Sequence, residues 1–288
     1  MNSSVLLVSI TIQIITGLIV LCSYIPSSVL PTDPTASFLS VLCFSTPDKL
    51  SSVYMQLLHA SLPALINLSL MIHMFKAYLY DLTGLNIVSA LTSGLLLYIV
   101  LLLSCVSGYI LPINSMSVWA FQVMASFLTI LPKGTVLFTL LAGSSSFLST
   151  STTGTLTVAH LLLIVIFILL IYVHLSTIHT YLYGNNRYLP LMSSNISMKH
   201  AFLRDTFFTS ITLLVYVAVI QSSIDNQRFG IAVNKDDSAY SYGSLFIMPR
   251  EIKPEFYLLP YFGLIKSITN KYLAVPFLYA VVQLFSTK

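Results

Sequence analysis

The sequence predicts an all-α transmembrane protein with about seven membrane-spanning helices. Its 288 residues are 56% hydrophobic and only 8% charged, whereas roughly a quarter of the residues in an average soluble protein are charged. The charges are also unevenly distributed, since none occurs between Asp81 and Lys133 or between Lys133 and Arg187. Each of these gaps can contain two spans of about 20 residues. The composition therefore excludes a soluble domain, and no nucleic-acid partner is expected.

Long apolar runs give the expected positions of the helices. They lie near residues 4 to 26, 52 to 80, 86 to 110, 156 to 182, 204 to 224, 255 to 267 and 270 to 286, and the last two are the shortest. Runs of this length are too uniformly apolar for barrel strands, and a helix satisfies its own backbone groups in hydrocarbon. We expect the first four helices to form a four-helix bundle within residues 1–185. The last three would form a C-terminal region over residues 186–288.

The charged residues give little information about orientation. We define side 1 as the face that holds the N-terminus and the loops after the second, fourth and sixth helices, and side 2 as the opposite face. Six lysines and arginines fall on side 1 and seven on side 2, so a count of basic residues does not decide the orientation. The net charge of +4 falls entirely on side 1. On that basis we assign side 1 to the negative, matrix-like compartment.

Four histidines in the apolar runs form two pairs with the same spacing. His59 and His73 are fourteen residues apart in the second helix, and His160 and His174 are fourteen apart in the fourth. Fourteen residues fall about 40° short of four full turns, so both members of a pair lie on nearly the same face, roughly 21 Å apart along the axis. Two such helices that face each other bring His59 to His160 near side 2, and His73 to His174 near side 1. We name these the side-2 pair and the side-1 pair.

Paired histidines at two depths of a membrane indicate two haem sites. Imidazole nitrogen is a common axial ligand of haem iron, and two histidines close both faces of the iron to other ligands, which favours electron transfer. A single buried histidine would more often donate an interhelical hydrogen bond. A chain of histidines can also relay protons in a multispan transporter, which is the alternative function. A proton relay, however, does not require the same spacing on two helices.

Two glycines of the third helix share the spacing of the histidines. Gly94 and Gly108 are also fourteen residues apart, and glycine lets a bulky flat group approach the backbone closely. Ordinary helix packing would also explain the glycines alone. The three cysteines, in contrast, have no Cys-x-x-Cys spacing, so we expect no zinc site or iron–sulfur cluster held by this chain alone.

Several short motifs, in their order along the chain, resemble cytochrome b of the ubiquinol:cytochrome c oxidoreductase, respiratory complex III. IQIITGL resembles the first-span motif of that family, with Gly17 as a haem-packing glycine and Ser3 where a second glycine is usual. The others are GYILP and MSVWA, which are similar to motifs of the quinol-oxidation site, PEFY, which resembles PEWY, and KSITNK, which resembles R-S-I-P-N-K. With the two histidine pairs, they identify the chain as a divergent and shortened member of the mitochondrial type.

The resemblance implies an electron-transfer subunit that oxidises ubiquinol near side 2, reduces quinone near side 1 and contributes to proton translocation. Two non-covalent b-type haems would carry the electrons. The subunit would be an enzyme only within its complex, with the Rieske iron–sulfur protein, cytochrome c1 and accessory subunits as partners. The complex would be dimeric and embedded in membrane lipid. Its expected location is the mitochondrial inner membrane, with a bacterial plasma membrane as the alternative.

The resemblance also implies roles for individual residues. The four paired histidines would bind the haem iron, Gly17, Gly94 and Gly108 would pack beside the haems, and Lys76 would be the basic partner of the side-1 haem. Glu255, Tyr257 and Tyr109 would border the quinol-oxidation site, where partial burial would raise the pKa of Glu255 toward that of a useful proton acceptor. His179 and Asp205 would bind and protonate quinone at the reduction site.

Three departures from the family pattern affect these expectations. Arginines that usually neutralise propionates of the side-2 haem are missing, because Gln56 and Thr155 stand near their positions. An unpaired propionate at membrane depth is costly, so other donors or partner subunits are expected to compensate. Ile113, Asn114 and Ser115 replace the usual Trp-Gly-Gln. Ala120 replaces a glycine whose change to alanine accompanies strobilurin resistance in this family, so low strobilurin sensitivity is expected.

Overall fold

A computed structural model describes residues 2–26, 37, 40–41, 50–79, 87–128, 133–142, 150–183, 198–225 and 254–268. All regular secondary structure within these ranges is helical. The helices are α1 (Asn2–Leu21), α2 (Leu50–Leu79), α3 (Ile87–Ile110), α4 (Ser115–Leu128), α5 (Gly134–Ala142), α6 (Thr150–Tyr183), α7 (Met198–Asp225) and α8 (Leu259–Ser267). The predicted all-α class is confirmed.

Five of the described helices are long and apolar enough to cross a membrane. The segments concerned are Ser3–Leu21, Tyr54–Ala77, Ala90–Ile110, Thr150–Ile178 and Lys199–Gln221. They coincide with the first five predicted spans, because each is a run of about 20 or more residues with almost no charge. The apolar composition thus fixes the location of each transmembrane segment without any tertiary information.

The C-terminal part differs from the prediction in its boundaries. In place of a helix from residue 255, the chain makes turns at PEFY, where the Leu258 N–H donates to the Glu255 carbonyl oxygen at 2.8 Å. Helix α8 begins at Leu259, has nine residues and ends before Ile268, which is extended. Nine residues rise by only about 13 Å, so α8 is too short to cross a hydrocarbon core of roughly 30 Å. The predicted helix over 270 to 286 lies outside the described residues.

Helices α4 and α5 were not predicted, and α4 has a well-defined start. The backbone N–H of Ser117 donates to Asn114 Oδ1, and the N–H of Asn114 donates to Ser117 Oγ, both at 2.8 Å. This reciprocal pair is a capping box. Ile113, just before the cap, has a φ of 49° and is fully buried beside Val118, as in a hydrophobic staple. The residues that replace Trp-Gly-Gln therefore start a helix.

Four of the long helices pack as two pairs around a shared apolar core. Helix α1 packs mainly against α2, and α3 mainly against α6. The second pair is antiparallel, because Gly94 lies against His174 while Gly108 lies against His160. Buried side chains from all four helices meet in one cluster, namely Leu6, Leu62, Ile66, Leu97, Val100, Leu101 and Phe167. These side chains lie between the depths of the two histidine pairs along their helices.

Helix α7 packs beside the first pair. A hydrogen bond of 3.1 Å joins the hydroxyl groups of Thr209 and Ser4, and a second hydrogen bond joins Tyr54 of α2 to Gln221. Leu57 and Ile220 are buried together near the second contact. The histidine-bearing α2 is therefore fixed on both flanks, by α1 and by α7.

Candidate functional site

His59 is held by hydrogen bonds to α1. Its Nδ1 atom lies 3.1 Å from the carbonyl oxygen of Gln13 and 3.2 Å from Thr16 Oγ1. Thr16 donates its own hydroxyl hydrogen to the Ile12 carbonyl, so its oxygen is available as an acceptor. A carbonyl oxygen can only accept, so the hydrogen of the neutral ring is on Nδ1 and the lone pair is on Nε2. Metal-ligating histidines typically have this arrangement.

His160 and His174 are held in the same way by α3. The Nδ1 atom of His160 lies 3.0 Å from the Ser104 carbonyl oxygen and 3.0 Å from Ser107 Oγ. The Nδ1 atom of His174 lies 2.8 Å from Ser93 Oγ, and its backbone hydrogen-bond partner is Ala90. Both rings thus keep an Nε2 lone pair for a further partner.

Each of these three rings also lies against a glycine. A Cβ atom on Gly17 would lie 2.7 Å from His59 Cε1, on Gly108 it would lie 2.8 Å from His160 Cε1, and on Gly94 it would lie 3.3 Å from His174 Cε1. Contacts below 3.0 Å are essentially never made by real Cβ atoms. The glycines make room for the histidine rings, and the haem packing expected of them stays a prediction.

The three contacts follow one local pattern that sequence reasoning missed. The hydroxyl residue directly precedes the glycine. The accepting carbonyl belongs to the residue four positions before the glycine. The sets are Gln13, Thr16 and Gly17; Ala90, Ser93 and Gly94; and Ser104, Ser107 and Gly108. The signal was present in the sequence, since Thr-Gly or Ser-Gly occurs at all three positions. The carbonyl partners, in contrast, are identified only by the packing.

His73 has a different environment. Ser3, which stands where the family has a glycine, is exposed. Within the part of the chain that the structure describes, the His73 ring forms no hydrogen bond. Lys76, one turn along α2, interacts electrostatically with His73. Its role as the basic partner of the side-1 haem stays a prediction.

The histidines predicted to pair across α2 and α6 lie within electrostatic range of each other, and their pairing as haem ligands stays a prediction. His59 interacts electrostatically with His160, and His174 with His73. Each pair provides two imidazoles, and for three of the four rings Nδ1 is bonded to a neighbouring helix. Two protein ligands suit an iron whose other positions are filled by a porphyrin, whereas a structural metal ion bound by protein side chains usually needs four. The residues present therefore fit b-type haem.

The side-2 pair has neutral residues where the family has arginines. Gln56 borders a small cavity together with Val20, Ser23, Tyr24, Ser40 and Val41. Thr155 donates its hydroxyl to the Ser151 carbonyl at 2.8 Å. Neither of these two side chains carries a charge.

The residues predicted for quinol oxidation lie together. Tyr257 is only 4% exposed and interacts electrostatically with Glu255 and Tyr109. Desolvation raises the pKa of Glu255 above its ordinary 4.5, because burial disfavours the charged carboxylate. The pKa of the Tyr257 phenol is also raised, first by burial and then by Cys105 and Glu255. Two segments far apart in the chain thus form one cluster.

Cys105 and two tyrosines extend this cluster and were not singled out by the sequence. Tyr257 and Cys105 are hydrogen-bonded, and Asn67 Nδ2 lies 3.6 Å from the same sulfur. Tyr261 donates to the Tyr98 hydroxyl at 2.7 Å. The members of each pair come from different segments, so sequence spacing gave no sign of these contacts.

The predicted quinone-reduction residues are only partly described. Asp205 is on α7, is half-buried and forms an ion pair of 3.2 Å with its neighbour Arg204. His179 is within α6, but its side chain lies outside the described part of the structure. The proposed meeting of His179 and Asp205 therefore stays a prediction.

Comparison with known proteins agrees with the all-helical fold. A family model described as cytochrome b/b6/petB matches residues 2–182, which include all four paired histidines. Among solved structures, a chain of "Hyperthermophilic respiratory Complex III" is similar, with a TM-score of 0.76 and 21% sequence identity. The match covers 99% of this chain and 74% of that chain. At this identity the likeness shows a common fold.

Proposed function

The chain belongs to the cytochrome b family, and from this premise we propose that it carries electrons between two quinone sites of a quinol:cytochrome c oxidoreductase. The observation that carries the proposal is the presence of two histidine pairs with the same spacing. In three of the four rings, Nδ1 is hydrogen-bonded to a neighbouring helix, which is α1 for His59 and α3 for His160 and His174. A b-type haem bound at each pair would supply a one-electron carrier at each of two depths. Of the two electrons that the quinol loses, one would pass to the partner iron–sulfur protein, and the other would pass to the haem at the side-2 pair and then to the haem at the side-1 pair.

The contacts of the histidine rings suit this role. A hydrogen bond from Nδ1 to a carbonyl fixes the tautomer and the ring plane, and it raises the basicity of Nε2. The glycines let the rings of His59, His160 and His174 approach the neighbouring helix closely enough to make that bond. Each haem would be held by the two imidazoles of one pair and would supply one-electron transfer rather than oxygen chemistry.

Proton release during quinol oxidation is assigned to the cluster of Glu255, Tyr257 and Tyr109. A carboxylate with a raised pKa can accept a proton from a hydroquinone hydroxyl and then give it up to water near side 2. The buried Tyr257, held by Cys105, would border the ring of the quinol. At the other face, His179 and Asp205 would supply protons to the reduced quinone.

The assembly and the location are also part of the proposal. Residues 1–185 would form the haem-binding unit, and residues 186–288 would carry the PEFY segment. The Rieske iron–sulfur protein, cytochrome c1 and accessory subunits would complete a dimeric complex in the mitochondrial inner membrane or a bacterial plasma membrane. Such a subunit would be active only inside its complex, with ubiquinol as donor.

A quinol-oxidation assay on the purified complex distinguishes this function from that of a histidine-based proton transporter. Addition of a short-chain ubiquinol should reduce bound haem within the turnover time, and Glu255→Gln should slow this reduction. In reconstituted vesicles, proton movement should require quinol. Proton movement at an unchanged rate without quinol would support the transporter and contradict the proposal.

A further inference from the structure

A proline interrupts the hydrogen bonding of α2 at the residue that holds the side-2 pair. Pro63 lies inside α2, and proline has no N–H to donate to the carbonyl four residues earlier. That carbonyl belongs to His59. Without another donor, it would be an unsatisfied acceptor inside the bundle, which costs free energy.

Gln13 of α1 supplies the missing donor. Its side-chain Nε2 atom donates to the His59 carbonyl oxygen at 3.0 Å. The backbone carbonyl oxygen of Gln13 accepts from His59 Nδ1 at 3.1 Å. The orientation of the Gln13 amide follows from the chemistry, since a carbonyl oxygen can pair only with the NH₂ end. Gln13 Oε1 is buried and has no hydrogen-bond partner in the described ranges, so the side chain is placed for the His59 contact alone.

The arrangement is specific to one of the four histidines. The residues four positions after His73, His160 and His174 are Ala77, Ile164 and Ile178, and each of them has a backbone N–H to donate. His160 and His174 also make their Nδ1 hydrogen bonds to α3 without involving any side-chain amide. Only His59 depends on a partner helix for both its ring and its carbonyl.

We infer that Gln13 is a positioning residue that compensates for Pro63 and fixes the backbone and the ring of His59 together. Gln13 would not contact the haem through this bond and would act through His59. The His59 carbonyl would therefore need the Gln13 donor only while position 63 is proline. The inference deepens the proposed function, because the haem of the side-2 pair is the group whose attachment it controls.

A double-mutant cycle tests the inference directly. The variants are Gln13→Met, which keeps the length but removes the donor, Pro63→Ala, which returns an N–H to α2, and the two together. Each is made in the full complex and purified in detergent. Two quantities are measured, the midpoint temperature of unfolding and the rate at which each haem is lost, resolved in low-temperature reduced-minus-oxidised spectra. The haem of the side-1 pair is the internal control.

Gln13→Met should lower the midpoint temperature by roughly 2–4 °C and release the side-2 haem about tenfold faster, with no change at the side-1 haem. In the Pro63→Ala background, both effects should largely disappear. An equal effect in both backgrounds, no effect of Gln13→Met, or equal loss of both haems would overturn the inference. If Gln13→Met prevents assembly, recovery in the double variant supports the inference, and failure in both variants overturns it.

The proposed electron-transfer function and the coupling between Gln13 and Pro63 are tested by different results. A wild-type complex without any low-spin b-type spectrum would contradict the proposed function. The thermal arm of the cycle would still test the coupling between Gln13 and Pro63, because it needs no bound haem.

Discussion

Gly17 lies so close to His59 that a Cβ atom on the glycine would be 2.7 Å from Cε1 of the ring. The ring cannot move aside freely, because its Nδ1 is bonded to the Gln13 carbonyl. Any side chain at position 17 must therefore displace either the ring or the α1–α2 contact.

The three glycines should differ in their tolerance of alanine. Gly17→Ala and Gly108→Ala create contacts of 2.7 and 2.8 Å, whereas Gly94→Ala creates one of 3.3 Å. Overpacking of this kind costs about 1–3 kcal/mol, so the first two variants should lose the haem of the side-2 pair, and the third should disturb the side-1 haem mildly. Haem content and resolved spectra measure this. Equal tolerance at all three positions would contradict the packing argument, and Gly263→Ala, where no atom lies within 4 Å, is the matched control.

Removal of the Cys105 thiol should weaken the binding of quinol. Cys105→Ala leaves the Tyr257 hydroxyl without its sulfur partner, whereas Asn67 Nδ2 keeps its hydrogen bond to the Pro63 carbonyl at 2.8 Å. An unsatisfied buried group costs about 1–3 kcal/mol. The KM for quinol should rise several-fold with a smaller change in kcat. Cys105→Ser should restore binding, since a hydroxyl oxygen also accepts. Cys22 is exposed, so Cys22→Ala is the control, and an identical KM in Cys22→Ala and Cys105→Ala would refute the prediction.

The pH dependence of quinol oxidation should show the titration of Glu255. Desolvation raises its pKa above 4.5, so the carboxylate that accepts the proton forms as the pH rises through this higher value. The rate should therefore increase with pH along a limb that lies above pH 4.5. Glu255→Gln should abolish the limb and lower the rate roughly a hundredfold, and Glu255→Asp should retain it. A limb that persists in Glu255→Gln would assign it to another group.

The capping box at the start of α4 should contribute to stability. Asn114→Ala removes the side-chain acceptor for the Ser117 N–H, and loss of such a cap costs about 1 kcal/mol. Asn114→Asp keeps an acceptor and should match the wild type. The comparison is made by thermal unfolding of the purified complex, where a lower midpoint for Asn114→Asp than for Asn114→Ala would be the opposite of the expected order.

Sequence reasoning found the features that depend on local pattern. The first five spans follow from apolar length, and the placement of both histidines of a helix on one face follows from helical periodicity. Helix α4 was missed because its fourteen residues are too few to indicate a span, and its start depends on the Asn114 cap. The boundary of α8 was wrong because PEFY makes turns instead of extending a helix.

The contacts between segments were not predictable in the same way. The exchange of hydrogen bonds between Gln13 and His59 joins residues 46 positions apart, and it requires two helices to pack in one register. The Tyr257 and Cys105 contact likewise joins the PEFY segment to α3. Periodicity describes one helix at a time, so only the packed structure identifies such partners.

The measurement that tests the central claim most directly is the reduced-minus-oxidised absorption spectrum of the purified complex. We expect a low-spin b-type signal with two components. His160→Leu should remove one component, and His174→Leu should remove the other. Absence of the low-spin signal, or its full retention after replacement of both His59 and His73, would contradict the assignment of the two histidine pairs as haem ligands.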